Sequence, residues 1–258
     1  MALSELSRSI EGRVTLVTGA GSGMGAATAK LFASQGAHVA VTDVKADAVE
    51  RVVDEITAAG GSAHGWALDV TRVDQVGAVV DGVAERWGGL DHLINNAGIS
   101  QFDAIDSDTF PDVWAVSLDV LLTAHVTTVR AALRYLRGAE AGRIVNIAST
   151  EGWGATRFGA AYTAAKHGVI GLTKSLAVEF GREAITVNCV CPGPIRTAMT
   201  EFVAEADKVT FAKRRTALGR YGEPEEVAHA TLNFCLPASS YMTGAILPVD
   251  GGLLIRNA

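Results

Sequence analysis

In the segment GAAYTAAKHG, residues 159–168, one tyrosine and one lysine stand four apart in a run of alanine and glycine. On a helix, Tyr162 and Lys166 lie one turn apart on the same face. A phenol ionises near 10 in water, too high for easy proton transfer at neutral pH. An ammonium roughly 5 Å away, at an effective dielectric of about 20, favours the phenolate by about 3 kcal/mol, or roughly two pK units. The pair therefore reads as a tuned proton donor and acceptor.

The elements that must position this pair are legible as an alternation. Short β-branched runs, RVTLVTG, HVAVTD, SAHGWALDV, DHLINNAG, GRIVNIAS, AITVNCVCPG and GAILPVDGG, are separated by longer helical patterns. Such alternation predicts βα units around a parallel sheet. The nearly continuous apolar character of the runs fits strands covered on both faces. No repeat, low-complexity tract or linker interrupts the chain, and residues 1–258 are expected to form a single domain.

The first strand runs into TGAGSGMG, residues 18–25, and then into a helical pattern. Glycines at a strand-to-helix turn permit positive φ and bring backbone N–H groups close to a pyrophosphate at the helix N-terminus. The second strand ends in Asp43, eighteen residues past Gly25. A dinucleotide fold places there an acid for the adenosine ribose hydroxyls. A carboxylate at that point repels the extra phosphate of NADP, and the turn carries no arginine to hold it, so NAD is the expected cofactor. The competing reading is that Asp43 caps a helix starting near Lys45.

A chain of 258 residues, 48% apolar with net charge -6 and pI near 5.5, can bury a large core and shows no basic face. Nucleic acid and anionic membranes are poor partners for it, and small molecules are the expected ligands. The stretch MALSELSRSIEGR has acids and no apolar run, and later apolar stretches are cut by Gly, Asp or Asn. A cytoplasmic protein without a membrane span is expected. Cys189, Cys191 and Cys235 are read as buried free thiols, since a lone C-x-C lacks the second ligand pair of a metal site.

In order along the chain stand Gly19-xxx-Gly23-x-Gly25, Asp69-Val70, Asn95-Asn96-Ala97-Gly98, Ser149, Tyr162-xxx-Lys166 and Pro192-Gly193-Pro194-Ile195-Arg196-Thr197. With these motifs the chain resembles the short-chain dehydrogenase/reductase family from about Gly12 to Gly252. The resemblance implies a doubly wound, Rossmann-like sheet of seven parallel strands with helices on both faces. It implies that Gly19, Ser22, Gly23, Met24 and Gly25 cradle the cofactor, with Asp69 and Val70 around the adenine. Asn96, Ala97 and Gly98 fall beside the adenosine ribose and the sheet, and Pro192, Gly193, Ile195 and Thr197 beside the nicotinamide. It further implies a catalytic set of Ser149, Tyr162 and Lys166. Tyr162 is the acid/base for hydride transfer between NAD and an alcohol or ketone, Lys166 also holds the nicotinamide ribose, and Ser149 steadies the substrate oxygen. Relatives are commonly tetramers through their fourth and fifth helices, so a homotetramer is expected.

One departure concerns the long helix, where relatives carry an asparagine at the place assigned to Ser117. That asparagine is thought to hold a water linking the lysine to solvent, and a serine is expected to do so with less reach. Ser100, Gln101, Trp153, Phe158, Met199 and Phe202 are expected to wall the substrate site, which suits a hydrophobic cyclic or aromatic alcohol. Glu151 and Arg157 are read either as substrate contacts or as solvated surface groups. Residues 196–218 are read either as a substrate lid or as an ordinary helix pair. The alternative functions are a 3-oxoacyl thioester reductase, a non-catalytic NAD sensor, and a dehydratase or epimerase on the same fold.

Overall fold

The computed structural model describes residues 6–256; residues 1–5 of the N-terminal stretch discussed above lie outside the described residues. Seven strands form one parallel sheet in the order β3-β2-β1-β4-β5-β6-β7. They are β1 (Val14–Val17), β2 (His38–Asp43), β3 (Ser62–Ala67), β4 (His92–Asn95), β5 (Arg143–Ile147), β6 (Thr186–Pro192) and β7 (Ile246–Val249). The central strands β1, β4, β5 and β6 are buried along their whole length, as the apolar runs predicted. The edge strands β3 and β7 are only partly covered.

The helices are α1 (Gly23–Ser34), α2 (Ala46–Ala58), α3 (Val73–Trp87), α4 (Phe110–Leu118), α5 (Ala124–Gly138), α6 (Ala160–Phe180), α7 (Glu205–Arg215) and α8 (Pro224–Cys235). One apolar cluster joins α1, α2 and α8 to one face of the sheet, and a second joins α3, α5 and α6 to the other. The strand order reverses between β1 and β4. At such a switch point the loops leaving the strand ends diverge to opposite faces and open a crevice.

Between α4 and α5 lies a π-helical turn, Asp119–Thr123, so that 110–138 run on as one long helix. This stretch, Phe110–Gly138, is long and apolar enough to cross a membrane by length and composition, contrary to the expectation that every apolar stretch falls short. It packs against α3 and α6 within the fold. The segment read as a lid or a helix pair contains a short 3-10 turn, Ala198–Thr200, and a single helix, α7. All three cysteines are buried and free of disulfides.

Candidate active site

The crevice floor is made by three chain turns that touch. A Cβ on Gly25 would sit 2.2 Å from the Gly19 carbonyl oxygen and 2.5 Å from Asn96 Nδ2, and one on Gly19 would sit 2.6 Å from Ala97 Cα. Gly19 and Gly23 adopt positive φ, 63° and 53°. Only glycine meets both demands. The turns are tied together by Thr18 Oγ1, which accepts from the backbone N–H of Asn96 and of Ala97 at 2.9 and 3.0 Å. The Asn96 amide donates to the carbonyls of Thr18 and Gly19 at 2.9 and 3.0 Å.

A cleft of about 160 Å³ opens on this floor, lined by Gly19, Ser22, Gly23, Met24, Gly25, Asp43, Asn96, Gly98, Tyr162, Lys166 and Thr197. An adjoining hollow adds Asp69, Val70 and Ala97 to Gly19, Asp43 and Gly98. The N-terminus of α1, with its free N–H groups and positive dipole end, faces the shared region. A long anionic ligand fits this cradle, with pyrophosphate at the helix and an adenosine end near Asp43 and Val70.

Asp43 does two things at once. Its Oδ2 accepts from the Gly21 N–H at 3.1 Å, and its Oδ1 accepts from the Lys45 N–H just before α2. The N-cap of α2 is Lys45 and carries no side-chain cap bond, so Asp43 steadies the turn before the helix rather than capping it, and its carboxylate lines the cleft. The turn itself carries no arginine, as read from the sequence, but one reaches it from α2. Arg51 of α2 donates to the Gly21 carbonyl at 2.6 Å and to Glu55 at 3.0 Å, because a helical turn folds it back over the loop.

Ser149, Tyr162 and Lys166 converge at the other end. Ser149 follows β5 and its Oγ accepts from the Glu151 N–H at 3.1 Å, which fixes the hydroxyl at the start of a 3-10 turn. Lys166 is 4% exposed, and its Nζ donates to the Ile147 carbonyl at 2.9 Å and lies 5.6 Å from the centre of the Tyr162 ring. Burial draws the lysine down to about 8, against the opposing pull of Cys189 and Cys191 beneath it. The Tyr162 phenol moves up, driven by burial, with the Ser149 hydroxyl drawing it back and Glu151 adding to the rise. The expected downward shift from the neighbouring ammonium is thus outweighed. Desolvation penalises the phenolate and weakens the very cation that was to stabilise it.

Several expected positions fall elsewhere. Pro192 is buried at the end of β6, Gly193 packs against Asp250, and the Ile195 side chain enters the core toward Gly222 rather than the cleft. Ser117 is fully buried and does not line the cleft; Leu121 of the same helix does. Leu121, within the π-turn and one helical turn beyond Ser117, is the residue of this helix that reaches the cleft.

On the substrate side Met199 lines the cleft, while Trp153, Phe158 and Phe202, expected as walls, are not among its lining residues and stand 53%, 48% and 87% exposed. Phe102, which sequence reading missed, stacks on Tyr162 with ring centres 6.0 Å apart. Its position one residue after Gln101 was the available signal. Ile99, Ile147 and Ala148 also line the cleft unforeseen. Glu151 is bound by the hydroxyls of Thr156 and Thr163, and Arg157 lies over the Phe158 ring at 4.4 Å.

A switch-point crevice with a glycine cradle at one end and a half-buried tyrosine beside a buried lysine at the other defines a nucleotide-dependent enzyme architecture, and comparison with known proteins agrees. The family model described as "Enoyl-(Acyl carrier protein) reductase" matches residues 19–254. The chain is 39% identical over 246 residues to a 3-oxoacyl-[acyl-carrier-protein] reductase of Thermotoga maritima, covering 95% of this chain and 99% of that one. It is also 39% identical over 240 residues to the cis-4-hydroxycyclohexanecarboxylate dehydrogenase of Sinomonas cyclohexanicum, covering 93% and 96%. A solved short-chain type dehydrogenase/reductase from Mycobacterium marinum superposes with a TM-score of 0.90 at 35% identity, covering 96% and 98%. The chain belongs to the short-chain dehydrogenase/reductase family, whose members are oxidoreductases that typically use nicotinamide cofactors.

Proposed function

We propose that the protein interconverts an apolar cyclic or aromatic secondary alcohol and its ketone, with NAD as the preferred cofactor. The observation that carries this reading is Tyr162 and Lys166 lining one cleft with the Asp43 carboxylate, with the Ser149 hydroxyl against the Tyr162 phenol. When bound, the nicotinamide takes or gives the hydride. Tyr162 Oη moves the proton of the substrate oxygen, and Ser149 Oγ donates to that oxygen as it gains charge. Lys166 contributes its positive charge beside the phenol and donors toward the cofactor ribose. Phe102, stacked on Tyr162, favours a ring substrate, as does the likeness to a hydroxycyclohexanecarboxylate dehydrogenase. Val126 and Val178 on the outer faces of α5 and α6, 38% and 85% exposed, support a homotetramer through these helices. The protein is proposed to act in the cytoplasm.

A second reading, a 3-oxoacyl thioester reductase using NADP, is favoured by the equally high identity to the Thermotoga maritima enzyme and by Arg51 at the glycine turn. The acidic balance and Asp43 weigh against it. A panel decides between them: cyclic alcohols, their carboxylated analogues and 3-oxoacyl thioesters, each with NAD(H) and NADP(H). Turnover of ring alcohols with NAD is the expected result. Faster reduction of thioesters with NADPH overturns it in favour of the second reading. Tight NAD binding without any turnover selects a sensor, and product analysis separates a dehydratase or epimerase.

A further inference from the structure

The long helix presents Ser117, Leu121 and His125, each four residues from the next, all buried. Leu121 is the one that lines the cleft beside Lys166, and it offers no polar atom. Below it, His125 Nε2 is shut off from solvent and lacks a hydrogen-bond partner among the described residues. A buried polar atom in that state is a site where a structural water is expected.

His125 and Lys166 sit over neighbouring strands. Thr128, three residues beyond His125 on the same face of α5, donates to Asn95 Oδ1 at 2.6 Å. Asn95 pairs in register with Asn146 on β5, and the next residue, Ile147, receives the Lys166 Nζ–H. The Lys166 charge acts on the His125 ring, so the two heads lie within electrostatic reach of each other, and polar groups so placed are commonly joined by a bridging water. Nζ has three donors, and among the described residues the Ile147 carbonyl is its one acceptor.

We infer that His125 is a positioning residue: its Nε2 accepts from a buried water, and that water accepts from Lys166 Nζ, giving the ammonium a partner on the side where Leu121 has none. The inference rests on the reading of Lys166 given above. Burial and the Lys166 charge hold the imidazole down to about 3, so it is neutral at working pH, with the Asn95 backbone carbonyl opposing that shift. A neutral ring that donates from Nδ1 to this carbonyl keeps its lone pair at Nε2. The other titratable groups facing Lys166 are Tyr162 on its own helix and Cys189 and Cys191 on β6. Cys189, hydrogen-bonded with Cys191 at 3.9 Å and buried, is pushed up and stays a thiol.

The test compares wild type, His125→Gln and His125→Leu, with Ser117→Ala as a neighbouring control. His125→Leu is expected to lower turnover about tenfold, as loss of an outer-shell partner does. Its alkaline limb moves to lower pH, because an ammonium without its water loses its proton sooner. His125→Gln restores most of both effects, and NAD affinity and melting temperature stay near wild type. Ser117 Oγ is the other buried polar atom of this face without a partner among the described residues. Ser117→Ala is expected to leave the alkaline limb in place; a moved limb there with an unmoved one in His125→Leu assigns the water to Ser117 and overturns the inference. An unmoved pH profile in a folded His125→Leu overturns the inference. Should that variant not fold, nitrogen NMR of the wild-type imidazole decides, without substrate: an unprotonated Nε2 shifted by hydrogen bonding supports the bridge, and a protonated or unbonded Nε2 overturns it. A wild type inactive on every substrate would instead sink the reading of Lys166, leaving the NMR result to stand on its own.

Discussion

The two ends of the crevice are built to different rules. At the dinucleotide end, backbone meets backbone. Thr18, Asn96 and Asp43 hold the turns with side-chain hydrogen bonds, and no methyl group fits at Gly19 or Gly25. At the substrate end, Phe102 beside Tyr162 stands 47% exposed, and the neighbouring loop residue Phe158 adopts φ 66°, an uncommon conformation for a bulky residue. One end is over-determined by contacts, and the other is free to vary. The contrast explains how a family keeps one cofactor chemistry while its substrates differ.

The hardest break falls where the two ends meet. Tyr162→Phe is expected to cut turnover by about 10²–10⁴ while the cofactor still binds, and Lys166→Met by a comparable factor. Lys166→Met carries a second, opposite signature. Burial lowers this lysine from 10.5 to about 8, so the charged form costs the folded state about 3 kcal/mol at neutral pH. The folded-state value is depressed, so the cost is absent above about 10.5 and complete below about 8. The inactive variant should therefore melt higher than wild type at pH 7, by less than that figure because the Ile147 carbonyl loses its donor. The gap should close as pH rises from about 8 toward 10.5. Thermal melts of both proteins across that range check the sign. A variant that melts lower at pH 7 and is unaffected by pH refutes the argument.

A smaller break tests the over-determined end alone. Gly25→Ala places a methyl 2.2 Å from a carbonyl oxygen held between two strands, with no flexible side chain to yield. A stability loss of about 1–3 kcal/mol is expected, together with weaker NAD binding. Melting temperature and calorimetric affinity measure the two. Wild-type values for both would show the turn to be looser than its contacts imply.

The same contrast decides what was legible in the sequence. The parallel sheet, the glycine turn and the Tyr162–Lys166 pair follow from local spacing, because strand runs, tight turns and helical faces each impose short-range patterns. What escaped depends on contacts between distant segments. Arg51 reaches Gly21 from thirty residues away along the chain, and Phe102 meets Tyr162 from sixty. Leu121 takes the place expected for Ser117 because residues one turn apart share a helix face, and only the packing of the assembled fold decides which of them reaches the cleft. The direction of the Tyr162 shift escaped for a related reason, since burial is a property of the assembled fold.

The smallest expected effect sharpens the comparison from the open end. Phe102 stacks on Tyr162 at 6.0 Å and packs against Gly159, yet remains 47% exposed, so its removal leaves no buried cavity. An aromatic pair of this kind is worth about 0.5–1.5 kcal/mol beyond the area it covers. Phe102→Ala should therefore raise KM for a ring alcohol by about 2- to 12-fold, while KM for a short acyclic alcohol and for NAD stay put. Equal losses for all three would mean that Phe102 supports the position of Tyr162 itself, and the open end would be less independent of the catalytic pair than its exposure suggests.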